Sequence, residues 1–509
     1  MKITIKPSFV LSLVFFALYC APTILLDLIK YKSEIVLGIL EVSKNAAYIL
    51  ITLFFIFYGL SISRISLIAG SIFIYLTGAI GSYYNIIFGI KITPEIIKVA
   101  FHNDITEASE LLSIKLIIWN IISVIISTNL SIKFSKEFIF NTKEKILSIF
   151  ILYGSINFLI NPKYKLFEKF QPWQITSSLS KYISNSPKSQ ITDISKQANY
   201  ISTKNNRTAV LIIGESARYD HFSLNGYERD TNPILSKKSN LFSFNARSCS
   251  NLTYLSVSCL LSRLDNREFD PTKNETSIIS IFNKVGFDTS WFGTQTILNY
   301  FKDTGGGSFY DEAKTLILPG GSTLYNMNDY DEKMIPFIND AIKKEGNKLI
   351  IIHTSGSHWD YANRYPKEFE KFKPICPSPF WGKRDQTDCE IDKLPNIYDN
   401  SILYTDYFIG EIINLLDQEE AFVIYTSDHG ESLGENGIFG HGGSAPEQFE
   451  VPFIFWGSKK FFNAENSLIE HLKEMKNKKI NHDYVFHSLL GCSGIKSDSI
   501  NQELNLCSF

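Results

Sequence analysis

The sequence has no excess of charge. Its 50 Lys and Arg stand against 52 Asp and Glu, a formal net charge of −2 over 509 residues. That balance removes the global electrostatic case for a nucleic-acid partner. No C-x-x-C pair occurs among the seven cysteines, so a thiolate zinc site of that kind is not encoded. Long uninterrupted apolar runs are missing from about residue 160 onward, although they dominate the stretch before it. The shortage is one-sided, and it divides the chain into a membrane part and a soluble part.

The cysteines follow the same division. Cys20 lies inside the first apolar run, whereas Cys249, Cys259, Cys376, Cys389, Cys492 and Cys507 all fall in the soluble part. An even number there points to an oxidising compartment such as a bacterial periplasm. Six cysteines allow many connectivities. The simplest pairs neighbours: 249 with 259, 376 with 389, 492 with 507.

Five apolar runs are candidate spans: Phe9–Ile29, Ala46–Leu60, Ile65–Ile90, Leu116–Leu130 and Ile146–Ile160. The first exceeds a typical signal-peptide core, and further spans follow it. With the amino terminus inside, Lys2, Lys6, Arg64, Lys133, Lys136, Lys143 and Lys145 are cytoplasmic, as the positive-inside rule favours. Lys30, Lys32, Lys44, Lys91 and Lys98 dilute that bias, so the cysteines carry more weight. Both place the soluble part outside the cytoplasm. Between spans, Asn103 to Glu110 reads as a cap and helix start on the outer face. Residues 162–207 read as a linker in which Phe167, Phe170 and Trp173 suit an interfacial helix.

From Thr208 the pattern changes to alternating strand and helix candidates. Ala209–Ile213, Leu349–Ile352, Phe422–Tyr425 and Val451–Phe455 are short apolar runs of the buried-strand kind. Polar clusters follow the first three directly: Gly214-Glu215-Ser216, His353 through His358, and Asp428-His429-Gly430-Glu431. Ligands in open α/β sheets gather beyond the carboxyl ends of strands. The pattern therefore places Glu215, His358, Asp428 and His429 on one rim, with Gly440-His441-Gly442 on the next loop. Carboxylate beside imidazole suits a zinc-like cation. His353, at a strand end, reads as packed or hydrogen-bonded rather than catalytic.

Three segments carry a resemblance. Leu211-Ile-Ile-Gly-Glu-Ser-Ala-Arg-Tyr-Asp-His-Phe-Ser-Leu-Asn-Gly-Tyr-Glu-Arg-Asp-Thr-Asn-Pro233 resembles the opening motif of the lipid A phosphoethanolamine transferases. Asp428-His-Gly-Glu-Ser-Leu-Gly-Glu-Asn-Gly437 with His441-Gly442 resembles their later motif, and Ser248-Cys-Ser-Asn-Leu-Thr253-Tyr-Leu-Ser-Val-Ser-Cys259 resembles their nucleophile segment. These are membrane-bound members of the sulfatase and alkaline phosphatase superfamily. The resemblance implies an α/β fold class: a five-helix transmembrane bundle over residues 1–161, then the linker, then a periplasmic α/β/α sandwich over 208–509.

It further implies a zinc held by Glu215, Thr253, Asp428 and His429, with Thr253 also the nucleophile. His358 and His441 match histidines that handle the phosphate and sometimes a second zinc, and Glu431 matches a nearby acid. The implied reaction moves the headgroup of phosphatidylethanolamine, through phosphothreonine, onto lipid A or another lipopolysaccharide or periplasmic acceptor. The implied setting is a monomer in the bacterial inner membrane. Departures exist: where the family's donor pocket often carries Lys and Asn after a Trp-containing strand, here Trp291, this chain has Gln295 and Asn299, with Lys302 farther on. Competing functions are a phosphoglycerol transferase, a sulfatase-like hydrolase and a non-catalytic membrane sensor. For a sulfatase, Cys259-Leu-Leu-Ser-Arg263 lacks the Pro of C/S-x-P-x-R, and Asn251-Leu-Thr253 also fits a glycosylation pattern.

Overall fold

The computed structural model describes residues 2–29, 35–88, 90–102, 113–136, 142–160, 170–184, 192–197, 199–263, 275–294, 312–319, 330–375, 393–465 and 467–508. The chain forms two compact units, whose main boundary in sequence falls between Ser186 and Pro187.

The amino-terminal unit is helical. Among the described residues, four helical stretches are long and apolar enough to cross a membrane: Pro7–Leu25, Val42–Leu60, Arg64–Ile87 and Ile114–Ser135. The fifth expected span, Ile146–Ile160, forms the helix Thr142–Ile160, whose first turn carries Lys143, Glu144 and Lys145. Those charges shorten its apolar part, so among the described residues it does not join the four.

The helix Ile114–Ser135 is inverted relative to a water-soluble one. Ser123, Ser127 and Ser131 recur every fourth residue and are buried, whereas Ile117, Ile118, Ile121, Ile122 and Ile125 are exposed. Small hydroxyl residues let membrane helices approach closely, and aliphatic side chains face lipid. Tyr19 donates to Ser123 Oγ across 2.7 Å within this unit. Of the expected linker helix, Trp173–Ser184 is helical, while Phe167 and the cap at 103–110 lie outside the described residues.

The second unit is built on an eight-stranded sheet. Its order is Ile480–Asn481, Leu241–Arg247, Glu450–Gly457, Glu420–Ser427, Arg207–Gly214, Lys348–His353, Asp288–Gly293, Thr315–Ile317. Only Glu450–Gly457 runs against the other strands. The four apolar runs read from the sequence are all strands, three of them the adjacent centre, fully buried because helices cover both faces.

On one face Val210, Ile212, Ile350, Ile352 and Val423 share a core with the helices Ile335–Ile342 and Leu394–Leu416. On the other, Phe422 and Phe455 meet Phe461 of the helix Lys459–Ala464. The architecture is an α/β/α sandwich. Since Glu420–Ser427, Arg207–Gly214 and Lys348–His353 run parallel, their carboxyl ends open on the same rim.

At the opposite rim Arg207 is completely buried and anchors the start of the central strand. Its Nε donates to Glu420 Oε1 at 2.9 Å, and its Nη1 donates to Glu465 Oε1 at 2.9 Å and the Cys492 carbonyl at 2.7 Å. Its guanidinium also lies 4.8 Å from the centre of the Phe461 ring. Arg207→Ala strands two partly buried carboxylates. We expect it to lower stability by about 3 kcal/mol in urea unfolding of the purified protein.

Candidate metal centre

Glu215 is the first residue past the Arg207–Gly214 strand, and Asp428 and His429 are the first two past Glu420–Ser427. Those strands pair directly, Gly214 opposite Ser427, so the three side chains emerge together. All three are fully buried. Thr253 opens the helix Thr253–Leu260, so its hydroxyl sits at the positive end of that helix.

Four polar side chains converge. Thr253 Oγ1 lies 3.3 Å from Glu215 Oε2 and 3.2 Å from His429 Nε2. His429 Nε2 is in turn 3.3 Å from Glu215 Oε1 and 3.4 Å from Asp428 Oδ2. The His429 ring is oriented by its other nitrogen, whose N–H donates to the Gly430 carbonyl at 2.9 Å. Nε2 therefore presents a lone pair to the cluster.

Asp428 Oδ1 accepts from the backbone N–H of Ser216 and of His429, at 3.2 and 2.7 Å. Its Oδ2 is buried with no hydrogen-bond partner. Burial, reinforced by Glu215, pushes the Asp428 carboxyl well above the usual carboxylate range. Two buried acids side by side are unfavourable as a pair of anions unless a cation lies between them. Glu215, Asp428 and His429 offer ligand atoms all within 4.8 Å of one another. An orphaned acidic oxygen, a lone-pair nitrogen and a hydroxyl are the donor set of a borderline divalent cation, and the residues fit one.

The backbone around the cluster is tightly stitched. Ser216 adopts a left-handed φ of 57°, its Oγ donates to Glu215 Oε1 at 2.7 Å, and its carbonyl accepts from Tyr398 at 2.6 Å. Gly356, at φ 46°, packs so closely that a Cβ there would meet the Glu215 backbone at 2.9 Å. Asp331, which the sequence did not single out, accepts from Ser355 and Gly356 N–H groups and holds this loop.

The remaining expected residues gather beside the cluster. His441 lies with its ring centre 4.2 Å from that of His429, and His358 lies 6.4 Å from His441. His441 Nδ1 donates to Glu431 Oε2 at 2.9 Å, while Glu431 Oε1 accepts from Tyr361 at 3.1 Å. His358 Nδ1 donates to the Trp359 carbonyl. Glu431, in sequence only an acid near a motif, is fully buried and forms a second potential metal group with His429 and His441. His353 is packed edge-on against Trp291, but neither ring nitrogen has a hydrogen-bond partner. Burial holds it neutral, with a pKa near 4.

Two expected disulfides are present, Cys249–Cys259 and Cys492–Cys507. Cys376 and Cys389 lie outside the described residues, as do Gln295, Asn299 and Lys302. Cys259 is thus spent on a disulfide and is not available for the sulfatase modification. The Asn251 amide is engaged by the Gly443 carbonyl and Gln448 Oε1, both at 2.7 Å.

Residues 207–495 match the model of the sulfatase family, and residues 49–186 match that of phosphoethanolamine transferase EptA/EptB. A Kdo(2)-lipid A phosphoethanolamine 7''-transferase of Salmonella typhimurium is 33% identical over 58% of this chain and 54% of its own length. The chain therefore spans about half the length of the curated relatives it matches. Among solved structures, the integral membrane protein lipooligosaccharide phosphoethanolamine transferase A (EptA) from Neisseria meningitidis superposes with a TM-score of 0.77 over 98% of both chains, at 21% identity. The periplasmic domain of Campylobacter jejuni phosphoethanolamine transferase EptC is 32% identical, with a TM-score of 0.53 over 63% of this chain and 98% of that one. The corresponding domain of Escherichia coli EptC, solved as a zinc complex, is 23% identical with a TM-score of 0.53, over 61% of this chain and 89% of that one. The chain belongs to the sulfatase family and, within it, to the membrane-anchored phosphoethanolamine transferases.

Proposed function

We propose that the protein is a zinc-dependent transferase that moves phosphoethanolamine from phosphatidylethanolamine, through a covalent intermediate on Thr253, to lipid A or another envelope acceptor. The observation that carries this reading is the convergence of Thr253 Oγ1 on Glu215 and His429 at 3.2–3.3 Å, beside the orphaned oxygen of Asp428. The zinc bound by a related periplasmic domain supports the choice of ion. Glu215, Asp428, His429 and Thr253 would hold it. A zinc ion there supplies positive charge that makes the Thr253 hydroxyl more acidic and offsets charge on the phosphoryl oxygens.

The chain's own groups do the rest. Thr253 gives up its hydroxyl proton as its Oγ attacks the phosphorus of the donor; the bond from phosphorus to the diacylglycerol oxygen breaks, and that oxygen takes up a proton. An acceptor hydroxyl or phosphate oxygen then attacks the phosphothreonine, and Thr253 regains its hydroxyl. The amino-terminal end of the Thr253–Leu260 helix favours the negative phosphoryl group in both steps. In this reading His441, held by Glu431, and His358 move protons at the entering or leaving oxygens. A second zinc, if bound, would use Glu431 and His441. Transmembrane helices keep the site beside its lipid substrates, with the soluble unit in the periplasm and the anchor in the inner membrane.

Three outcomes test this. Mass spectrometry of protein incubated with phosphatidylethanolamine vesicles should find phosphoethanolamine on Thr253, and Thr253→Ala should lose the adduct and about 10³-fold or more of transfer. A phosphoglycerol adduct in its place would overturn the donor assignment. Metal analysis should find zinc in the wild type and little in Asp428→Asn; a wild type that binds none would sink the enzyme reading. Glu431→Gln should cost about 10- to 100-fold in transfer with little change in melting temperature, because it loosens His441.

A further inference from the structure

The Thr253 hydroxyl and the metal-holding side chains come from different elements, so something must set the distance between them. His482 stands at that joint. It follows the short Ile480–Asn481 strand, is 1% exposed, and donates its own N–H to the Arg247 carbonyl at 3.2 Å. Its ring reaches both halves of the site. The Cys249 N–H donates to Nδ1 at 3.2 Å, so Nδ1 carries the lone pair. Nε2 therefore carries the hydrogen and donates to the Ser427 carbonyl at 3.0 Å. Burial keeps the imidazole neutral, at a pKa of about 3, which this tautomer requires.

Cys249 opens the disulfide-closed segment 249–259 that contains Thr253, and Ser427 immediately precedes Asp428. A second tie runs alongside: Ser256, one turn into the nucleophile helix, donates to the Asp428 carbonyl at 2.5 Å, with its Oγ 3.3 Å from His482 Nδ1. One neutral ring thus bridges the nucleophile segment and the metal-bearing strand end. It has no reach to substrate through any of these contacts.

We infer that His482 is a positioning residue, which fixes Thr253 Oγ1 against Asp428 and His429 and so governs the covalent step and ion retention rather than donor binding. The inference rests on the reading of Thr253 as nucleophile. The test uses the full chain in detergent with phosphatidylethanolamine vesicles, comparing His482→Phe, His482→Asn and His482→Gln. Asn keeps an acceptor near Nδ1 for Cys249, and Gln keeps a donor near Nε2 for Ser427.

Expected are a loss of about 10- to 100-fold in kcat for Phe with KM for the donor nearly unchanged, partial recovery by each amide, and zinc held correspondingly less tightly in chelator competition. Wild-type kcat and zinc retention in the Phe variant would overturn the assignment. So would a rise in KM at constant kcat, or losses that track melting temperature across all three variants. If wild-type protein forms neither diacylglycerol nor a Thr253 adduct, the proposed reaction has failed instead. Chelator competition then decides the positioning role alone, with unchanged zinc affinity in all three variants overturning it.

Discussion

Two buried carboxylates and a threonine hydroxyl crowd within 3.2–3.4 Å of one buried imidazole nitrogen, His429 Nε2. Taken without a cation this is an electrostatic liability, because each acid raises the cost of ionising the other and water is excluded. Taken with one, the same crowding becomes a tight ligand cage. Much of the soluble unit serves that cage. The parallel pairing of Arg207–Gly214 with Glu420–Ser427 brings the two acids to one level, and hydrogen bonds donated by Ser216, Tyr398 and Ser357, with one from the Ala217 N–H to Ser427 Oγ, hold the turns that follow.

The anchor answers a different constraint. A helix that buries Ser123, Ser127 and Ser131 while exposing isoleucines would aggregate in water, and is sensible only where hydrocarbon is the solvent. Tyr19 and Tyr75 find partners at Ser123 and the Leu11 carbonyl within the bundle, so their hydroxyls need no water there. The soluble unit follows the opposite rule: its apolar side chains go to two faces of one sheet, and the charges it buries are held by partners, as in the Arg207 and Arg218 networks, or gathered at the rim cluster of Glu215, Asp428 and Glu431.

Much of this was legible before any coordinates. Continuous apolar runs such as Ala209–Ile213 and Leu349–Ile352 announce strands covered on both faces, and the polar residues that end them announce the rim. Glu215, Asp428 and His429 follow from that pattern, whereas Thr253 came only from motif resemblance, since no periodicity marks it. What the sequence hid was everything that depends on approach in space. His482 meets Cys249 across 233 positions, and Glu431 gains meaning only when His441 folds back onto it. The fifth span shows the converse: Ile146–Ile160 reads as apolar in isolation, but the helix it belongs to starts on a charged turn.

The lone counter-running strand, Glu450–Gly457, has a wider consequence. Had the chain continued in parallel after Ser427, it would have needed a crossover spanning the sheet and a helix to make it. Reversal instead lets residues 430–449 leave the rim and return to it without visiting the far edge. This excursion carries Glu431 and His441, yet its length is not tied to the height of the sheet. Residues can be added or removed there, as in an open hairpin, while the cage beneath keeps its register. The fold thereby separates what must stay fixed from what can diverge: Glu215, Asp428 and His429 are set by the paired strands, and the canopy above them is free to be reshaped.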